Sequence, residues 1–267
     1  MFLELTKKSI RAKRGQWITF ALLGLGFLLL YIATFPAVQK TSADYDKIVS
    51  TLPKGVLAAF NITQTTPSLM GYLSSKHFGF LWALMIILLM SSYASYAIAK
   101  EIESKTIGLL LSQPISRLKL YWSRFNAGVI GLAIFIAASE ILVWPLANIF
   151  NYHIALSEVL GIAALGLFFG LAILGLGLLF SSLTNESSKS TAYLSTVLLV
   201  MYVAYLISNL EPKLNSLQKI SIFNYFKPGT VVSGKGIEAS SLLVLAAIGI
   251  TSAIIGSIIF NKKDLNV

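Results

Sequence analysis

A charged, patterned segment lies between two strongly apolar stretches of the chain, at residues 101–117. It begins with two carboxylates, Glu101 and Glu103, and ends at Arg117, so both ends can form ion pairs and charge-assisted hydrogen bonds. Charged groups and irregular backbone cannot be satisfied in lipid, which excludes the 101–117 segment from the membrane interior. The chemistry that these residues favour is recognition of another polar surface.

The middle of this segment predicts a short helix. Three leucines, residues 109–111, precede Pro114, and a proline disfavours helix in the residue before it. The helix is therefore expected to end near Ser112. A short helix across the mouth of a membrane bundle can bind a soluble partner, and the alternative is a solvated loop that only sets the topology.

Other residues that could carry chemistry are isolated. His77 and His153 are predicted at the ends of apolar stretches, with no His-Glu-x-x-His pattern and no paired acids. Glu140 alone lies well inside an apolar stretch, where a carboxylate costs a few kcal/mol unless it is neutralised or partnered. It is a candidate intramembrane polar site; alternatively, it reaches water or a backbone donor near the outer end of its helix.

The chain shows no nucleotide site of its own. Residues 229–235 have the spacing of a phosphate-binding loop, but Gly236 stands where a metal-binding Ser or Thr is needed. With no cysteine in the sequence, disulfides, thiolate metal sites and cysteine nucleophiles are excluded. We expect no catalytic, cofactor or metal site in this chain, and thus not an enzyme.

Composition places the chain among membrane proteins. Of its 267 residues, 56% are hydrophobic and 12% charged, whereas soluble domains contain about 25% charged residues. About 20 apolar residues span a bilayer as a helix. This length predicts an all-α protein with six transmembrane helices, at residues 17–38, 80–99, 125–150, 159–183, 191–210 and 241–260, as a single domain over residues 1–267.

The distribution of basic residues predicts the orientation. Of the 21 Lys and Arg residues, 13 fall on the side of the membrane that holds both termini and the 101–117 segment. Positive charge favours the cytoplasm, so both termini are expected there, in a multi-pass plasma-membrane protein. The net charge of +10 is then explained by topology and lipid headgroups rather than by nucleic acid.

Segments outside the six helices are predicted as follows. Residues 1–16 form an amphipathic helix in the membrane interface, or else a disordered basic leader. The outer loops, residues 39–76 and 211–238, form short helices on the outer rim of the bundle, and the aromatic residues of the second loop are candidates for a gate.

A stripe of small residues marks the fourth apolar helix. Gly166, Gly170 and Gly177 fall on one face at 100° per residue, and Gly175 points away from it. Such a stripe lets a neighbouring helix approach closely. The neighbour is either within the same chain or in a second subunit.

With these features together, the chain resembles type-2 permease subunits of ABC transporters, which include antibiotic, multidrug and copper-site-assembly permeases. The resemblance covers essentially the whole sequence. It is sharpest in residues 99–117, with the acidic pair, a Thr, the leucine run, a Pro and Ser-Arg. Residues 177–184 and 260–265 also match. Lys105 departs from the pattern, because the family commonly has Gly there.

The resemblance implies a function. Residues 100–119 would form a cytoplasmic coupling segment that, with the leader, seats on a separate ATPase subunit carrying ATP and magnesium. Two permeases, as a homodimer or with a paralogue, and two ATPases would form an exporter of amphiphilic or small-molecule substrates. The residues that would couple to the ATPase are Glu101, Glu103, Thr106, Pro114 and Arg117. The acids can pair with basic groups of the ATPase, and Arg117 can cap carbonyls or hold phosphate headgroups.

The residues alone are also compatible with two other functions. A secondary transporter should show charged or broken-helix sites at matching places in two halves, and Glu140 stands alone without an internal repeat. A non-transporting membrane scaffold that recruits a cytosolic protein would share every feature except ATP-dependent activity.

Overall fold

The computed structural model describes residues 2–40, 47, 49–53, 56–57, 68–112, 114–152 and 154–264. All regular secondary structure within these ranges is helical. We call the end of the bundle that carries the 101–117 segment the inner end, and the opposite end the outer end.

The main helices are labelled in chain order. They are α1 Phe2–Ala12, α2 Arg14–Lys40, α3 Leu69–Glu103, α4 Thr106–Leu111, α5 Arg117–Ile149, α6 Leu156–Leu183, α7 Ser187–Leu210 and α8 Ala239–Lys262. Between α7 and α8 lie two 3₁₀ helices, Pro212–Ile220 and Ile222–Tyr225, and the short helical turns Pro228–Thr230 and Val231–Lys235.

Six of these helices are long and apolar enough to cross a membrane, namely α2, α3, α5, α6, α7 and α8. This finding confirms the predicted number. The helices are longer than predicted because their polar ends continue the helical backbone beyond the apolar core. The second, for example, begins at Leu69 rather than Phe80, and the third at Arg117 rather than Phe125.

The bundle has a centre and a periphery. In the most apolar window of α3, 67% of the residues are buried, and in that of α6, 61%, whereas α2 and α7 each reach only 22%. Their remaining apolar side chains, such as Leu30 and Leu199, are exposed. Such exposure suits contact with lipid tails, since apolar side chains are stable there.

The predicted glycine stripe of α6 receives large side chains from within the chain. A Cβ on Gly166 would meet the Trp82 ring, and one on Gly170 would lie 2.5 Å from the Leu132 side chain. A Cβ on Gly177 would lie 2.5 Å from that of Ala94. The stripe is therefore occupied by α3 and α5 in this structure.

A close approach of two helix backbones involves a different glycine. A Cβ on Gly175 would meet the carbonyl oxygen of Gly249 in α8, and a Cβ on Gly249 would lie 2.6 Å from the carbonyl oxygen of Leu171. Gly175 does point away from the stripe, as the helical period predicts, but the sequence did not reveal that this second face holds the tighter contact.

The outer segment between α7 and α8 reaches into the bundle rather than lying only on its rim. Ile222 and Phe226 are buried, and the Phe226 ring stacks on Phe169 with centroids 4.4 Å apart. Phe169 lies near the middle of α6, so Phe226 packs inside the bundle rather than on its outer rim. Much of the other outer loop, including Phe60, lies outside the described residues.

Helix α1 is amphipathic, as predicted, and it also packs on the protein. Thr6 and Ser9 are buried on its inner face, and the Thr6 hydroxyl lies 3.4 Å from the Ser123 carbonyl oxygen of α5. Leu3, in contrast, is 65% exposed. The sequence indicated the basic residues of α1 but not this hydroxyl-bearing face.

Candidate functional site

The 101–117 segment folds as a continuation of α3, a sharp turn and a short helix. Helix α3 ends at Glu103, and Lys105 adopts a left-handed conformation with φ 57°. Helix α4 follows and has Ser112 as its C-cap, which confirms the predicted end. The Ser116 hydroxyl then accepts a hydrogen bond from the Lys119 N–H and caps the start of α5.

The left-handed turn explains why glycine suits position 105. A side chain in this region costs about 1 kcal/mol relative to glycine. We therefore expect Lys105→Gly to raise the stability of the purified protein by up to that amount, measured by thermal unfolding in detergent. Lys105→Val, which is β-branched, is the control and should lower it. A destabilised Lys105→Gly protein would contradict the role of this turn.

Glu101 forms a buried ion pair at the start of the segment. Its Oε1 accepts a hydrogen bond from the Arg124 guanidinium of α5 at 2.7 Å, and the two side chains are 13% and 8% exposed. Arg124 also donates to the Ser9 hydroxyl of α1 at 2.7 Å. The Thr106 hydroxyl donates to the other Glu101 oxygen at 2.6 Å. This cluster ties α1, α3, α4 and α5 together.

Glu103 caps the N-terminus of α7. Its Oε2 accepts hydrogen bonds from the Ser187 backbone N–H at 3.0 Å and from the Ser187 hydroxyl at 2.7 Å. The first N–H groups of a helix lack partners within it, and a carboxylate there is favoured by the helix dipole. Lys100 contacts the other oxygen at 3.3 Å.

Arg117 caps the C-terminus of a helix, in contrast to Glu103, which caps an N-terminus. Its guanidinium donates to the carbonyl oxygens of Lys263 and Asn261 at the C-terminus of α8. Lys263 in turn donates to the carbonyl oxygens of Ser182 and Thr184, at 2.8 and 2.6 Å, where α6 ends. Basic groups satisfy the unpaired carbonyls of a helix C-terminus. Burial lowers the pKa of Lys263, since the charged ammonium loses solvation.

The 101–117 segment therefore contacts the inner ends of several helices at once. Through Glu101, Glu103 and Arg117 it joins α1, α5, α7 and α8, and Lys263 extends the connection to α6. A displacement of the segment must break these contacts or carry the helix ends with it. The arrangement can convert force on a surface segment into movement of the bundle.

One face of α4 has no partner within the described part of the chain. Leu109 is 74% exposed, and Pro114 beyond the helix is exposed as well, whereas Ile107 is buried beneath them. A cleft of 300 Å³ lies between α1 and α4, lined by Lys8 and Leu109 among others. An apolar face beside a cleft suits docking of another protein.

Glu140 and His77 lie inside the bundle without polar partners. Both are 0% exposed, and neither carboxylate oxygen of Glu140 nor ring nitrogen of His77 has a hydrogen-bond partner among the described residues. Both lie in π-helical turns, which occur often at functional sites. Glu140 does not reach a backbone donor, and His77 lies within α3 rather than at its end. His153 is outside the described residues.

Sequence reasoning found the two acids and Arg117 but missed their partners. Arg124 and Lys263 belong to the 13 basic residues on the inner side, which the sequence connects only with topology, and Ser187 and Ser9 carry no signal in the sequence. Their types and positions beside helix ends are common in any membrane protein. Only the fold brings Arg124 to Glu101 and Ser187 to Glu103.

Comparison with known proteins places this architecture in a family. A family model described as "ABC-2 family transporter protein" matches residues 3–265. No match was found among curated proteins. The family and the six apolar helices together make this a multi-pass membrane protein, and membership generally implies a partner ATPase subunit. Because the match covers nearly the whole sequence, the chain belongs to the ABC-2 family of transporter proteins.

Proposed function

We propose that the chain is the membrane-spanning permease subunit of an ATP-driven ABC exporter. ATP and magnesium are bound and ATP is hydrolysed by a separate cytosolic subunit, and two permease chains, identical or paralogous, form the transport unit in the plasma membrane with their termini in the cytoplasm. The observation that carries the proposal is the 101–117 segment, which exposes an apolar face while its charged residues hold the inner ends of the helices.

The polar residues of this segment have a positioning role in the proposal. Glu101 and Glu103 are engaged within the chain, so the surface offered to the ATPase is Leu109, Pro114 and the cleft beside α1. ATP binding moves this surface, and Glu101, Glu103 and Arg117 transmit the movement to the bundle.

An apolar pocket supports a small-molecule or amphiphilic substrate. A cavity of 180 Å³, which we call the outer pocket, is lined by Phe80 and Ile87 of α3, Tyr202 and Tyr205 of α7, and Phe226. Aromatic and aliphatic linings with few polar groups are typical of small-molecule sites.

Glu103→Lys tests the transmission step. The substitution places a cation at the N-terminus of α7 and beside Lys100, where the helix dipole and like charge both oppose it. We expect the permease-dependent increase in ATP hydrolysis to be lost in proteoliposomes that contain the purified complex. Glu103→Gln is the matched control, because its amide oxygen can still accept the Ser187 hydrogen bonds. Undiminished coupling in Glu103→Lys would contradict the proposed transmission.

Glu140 is part of the proposal as an ionisable intramembrane site. Glu140→Gln keeps the side-chain shape and removes its ionisation, and no described hydrogen bond is lost because neither oxygen has a partner. We expect an unchanged yield of folded protein and severalfold lower stimulated ATP hydrolysis in the same proteoliposomes. Unchanged hydrolysis would remove Glu140 from the transport cycle.

A further inference from the structure

A further cavity lies at the inner end of the bundle, between α3 and α7. This cavity, which we call the inner groove, has a volume of 440 Å³. Its lining changes along its length, with lysine and hydroxyl side chains at one end and aliphatic side chains at the other. The lining residues are Lys13, Ile87, Leu88, Ser91, Ser92, Ser95, Tyr96, Lys100, Ser187, Thr191 and Ser195.

The polar end of the inner groove carries two lysines, of which one, Lys13, has no carboxylate partner among the described residues. Lys13 forms no ion pair within the described ranges, and its ammonium lies over the Tyr96 ring, 3.7 Å from the centroid. Burial lowers the pKa of Lys13, because desolvation penalises its charged form. Lys100 contributes a second ammonium, held by Glu103 at 3.3 Å. A bound anion would replace the solvation that Lys13 has lost.

Hydroxyl groups between these lysines and the apolar end include a free donor. Ser91 is 6% exposed, and its Oγ has no hydrogen-bond partner among the described residues although it lines the groove. A buried hydroxyl left unpaired is unfavourable, so such a group generally indicates a missing partner. Nearby, the Ser95 and Thr191 hydroxyls pair across the groove at 2.7 Å.

The apolar end of the inner groove meets the outer pocket. Ile87 lines both cavities, and it lies 13 residues, or about 20 Å of helix, from Lys100. The face shared by α3 and α7 is thus polar and basic at the inner end, aliphatic at Ile87 and Leu88, and aromatic beyond. Its gradient matches a molecule with a charged head and an apolar tail.

We infer that the inner groove binds amphiphiles with an anionic headgroup, with the headgroup at Lys13, Ser91 and Lys100 and the tail extending past Ile87 toward the outer pocket. The inference rests on the proposed function and names the substrate class of the same permease. A single-chain amphiphile and a two-chain membrane lipid share this chemistry.

Binding to the purified chain in a nonionic detergent tests the inference without an ATPase. The probes are lysophosphatidylglycerol and lysophosphatidylcholine with the same acyl chain, and the dissociation constants are measured by native mass spectrometry. We expect the anionic probe to bind about tenfold more tightly, which corresponds to about 1.4 kcal/mol. Equal affinities for the two probes would overturn the inference. Two-chain phosphatidylglycerol identifies the source: comparable binding indicates a membrane lipid, and weak binding a single-chain amphiphile.

Variants with matched controls locate the site. Lys13→Gln should remove most of the preference for the anionic probe and Lys13→Arg should keep it, whereas Lys262→Gln, which removes an exposed charge at the same end, should have no effect. Ser91→Ala should weaken binding severalfold. Its control, Ser190→Ala, removes a buried and unpartnered hydroxyl that is outside the groove lining. Equal losses in a variant and its control would overturn the inference.

The tail position has its own test. Ile87→Trp fills the point where the two cavities meet, and it should weaken binding of a long-chain anionic probe more than that of a short-chain one. Equal effects on both probes would contradict the path past Ile87. These results can be distinguished from a failure of the proposed function. A chain that prefers the anionic probe but recruits no ATPase refutes only the permease proposal. A chain that recruits an ATPase but binds both probes equally refutes only the substrate class.

Discussion

Arg124→Met is expected to destabilise the protein by about 3–5 kcal/mol, because it leaves the Glu101 carboxylate buried without its cation. The pair is 8% and 13% exposed, and Arg124 also holds the Ser9 hydroxyl. The loss should release α1 and α4 from the start of α5. Thermal unfolding in detergent measures the stability, and protease cleavage within residues 1–16 measures the release of α1.

Two comparisons make this result specific to the buried pair. The double variant Glu101→Gln with Arg124→Met removes both charges and should recover much of the loss, which a double-mutant cycle quantifies. Lys189→Met breaks an exposed pair with Glu186 and should leave the unfolding temperature almost unchanged, since exposed pairs contribute little. If Arg124→Met and Lys189→Met behave alike, Glu101 does not depend on Arg124.

Gly175→Ala is expected to separate α6 from α8. The added methyl group would overlap the carbonyl oxygen of Gly249, a backbone atom that moves only with its helix. Overpacking of this kind costs about 1–3 kcal/mol, and a backbone contact belongs at the upper end of that range. We expect a lower unfolding temperature and a reduced yield of folded protein in detergent.

Gly26→Ala is the matched control for this contact. A Cβ on Gly26 in α2 has nothing within 4 Å, so the substitution should be neutral or stabilise the helix by up to about 1 kcal/mol. Gly249→Ala approaches the same contact from the other side, with the Leu171 carbonyl oxygen 2.6 Å from the new Cβ, and should resemble Gly175→Ala. Wild-type stability in both variants would show that the two backbones are not packed this closely.

The elements of the fold were more predictable from sequence than their contacts. Apolar runs of membrane-spanning length predicted all six long helices, and Pro114 predicted the end of α4, because both signals depend on local chain properties. The helical period also assigned Gly175 to a separate face. It could not identify Gly249 as the neighbour of that face, since periodicity says nothing about which helix packs there.

In the candidate site, too, the residues could be recognised from the sequence but their contacts could not. Glu101 and Glu103 were recognisable as unusual charges between apolar helices, and pairing with an ATPase was the natural expectation for them. Their partners are Arg124 and Ser187, far along the chain from them, and such contacts are set by tertiary packing. The inner groove was likewise invisible in the sequence, because its serines and lysines belong to helices that meet only in the fold.

Co-purification tests the central claim, that a separate ATPase drives this chain through the 101–117 segment. The tagged chain is isolated from native membranes in mild detergent, and mass spectrometry measures what accompanies it. The account predicts a stoichiometric ATPase with phosphate-loop motifs. Leu109→Glu should remove it, whereas Ile220→Glu, at an exposed apolar position of the outer end, should retain it. A folded chain that repeatedly emerges without an ATPase would contradict the account.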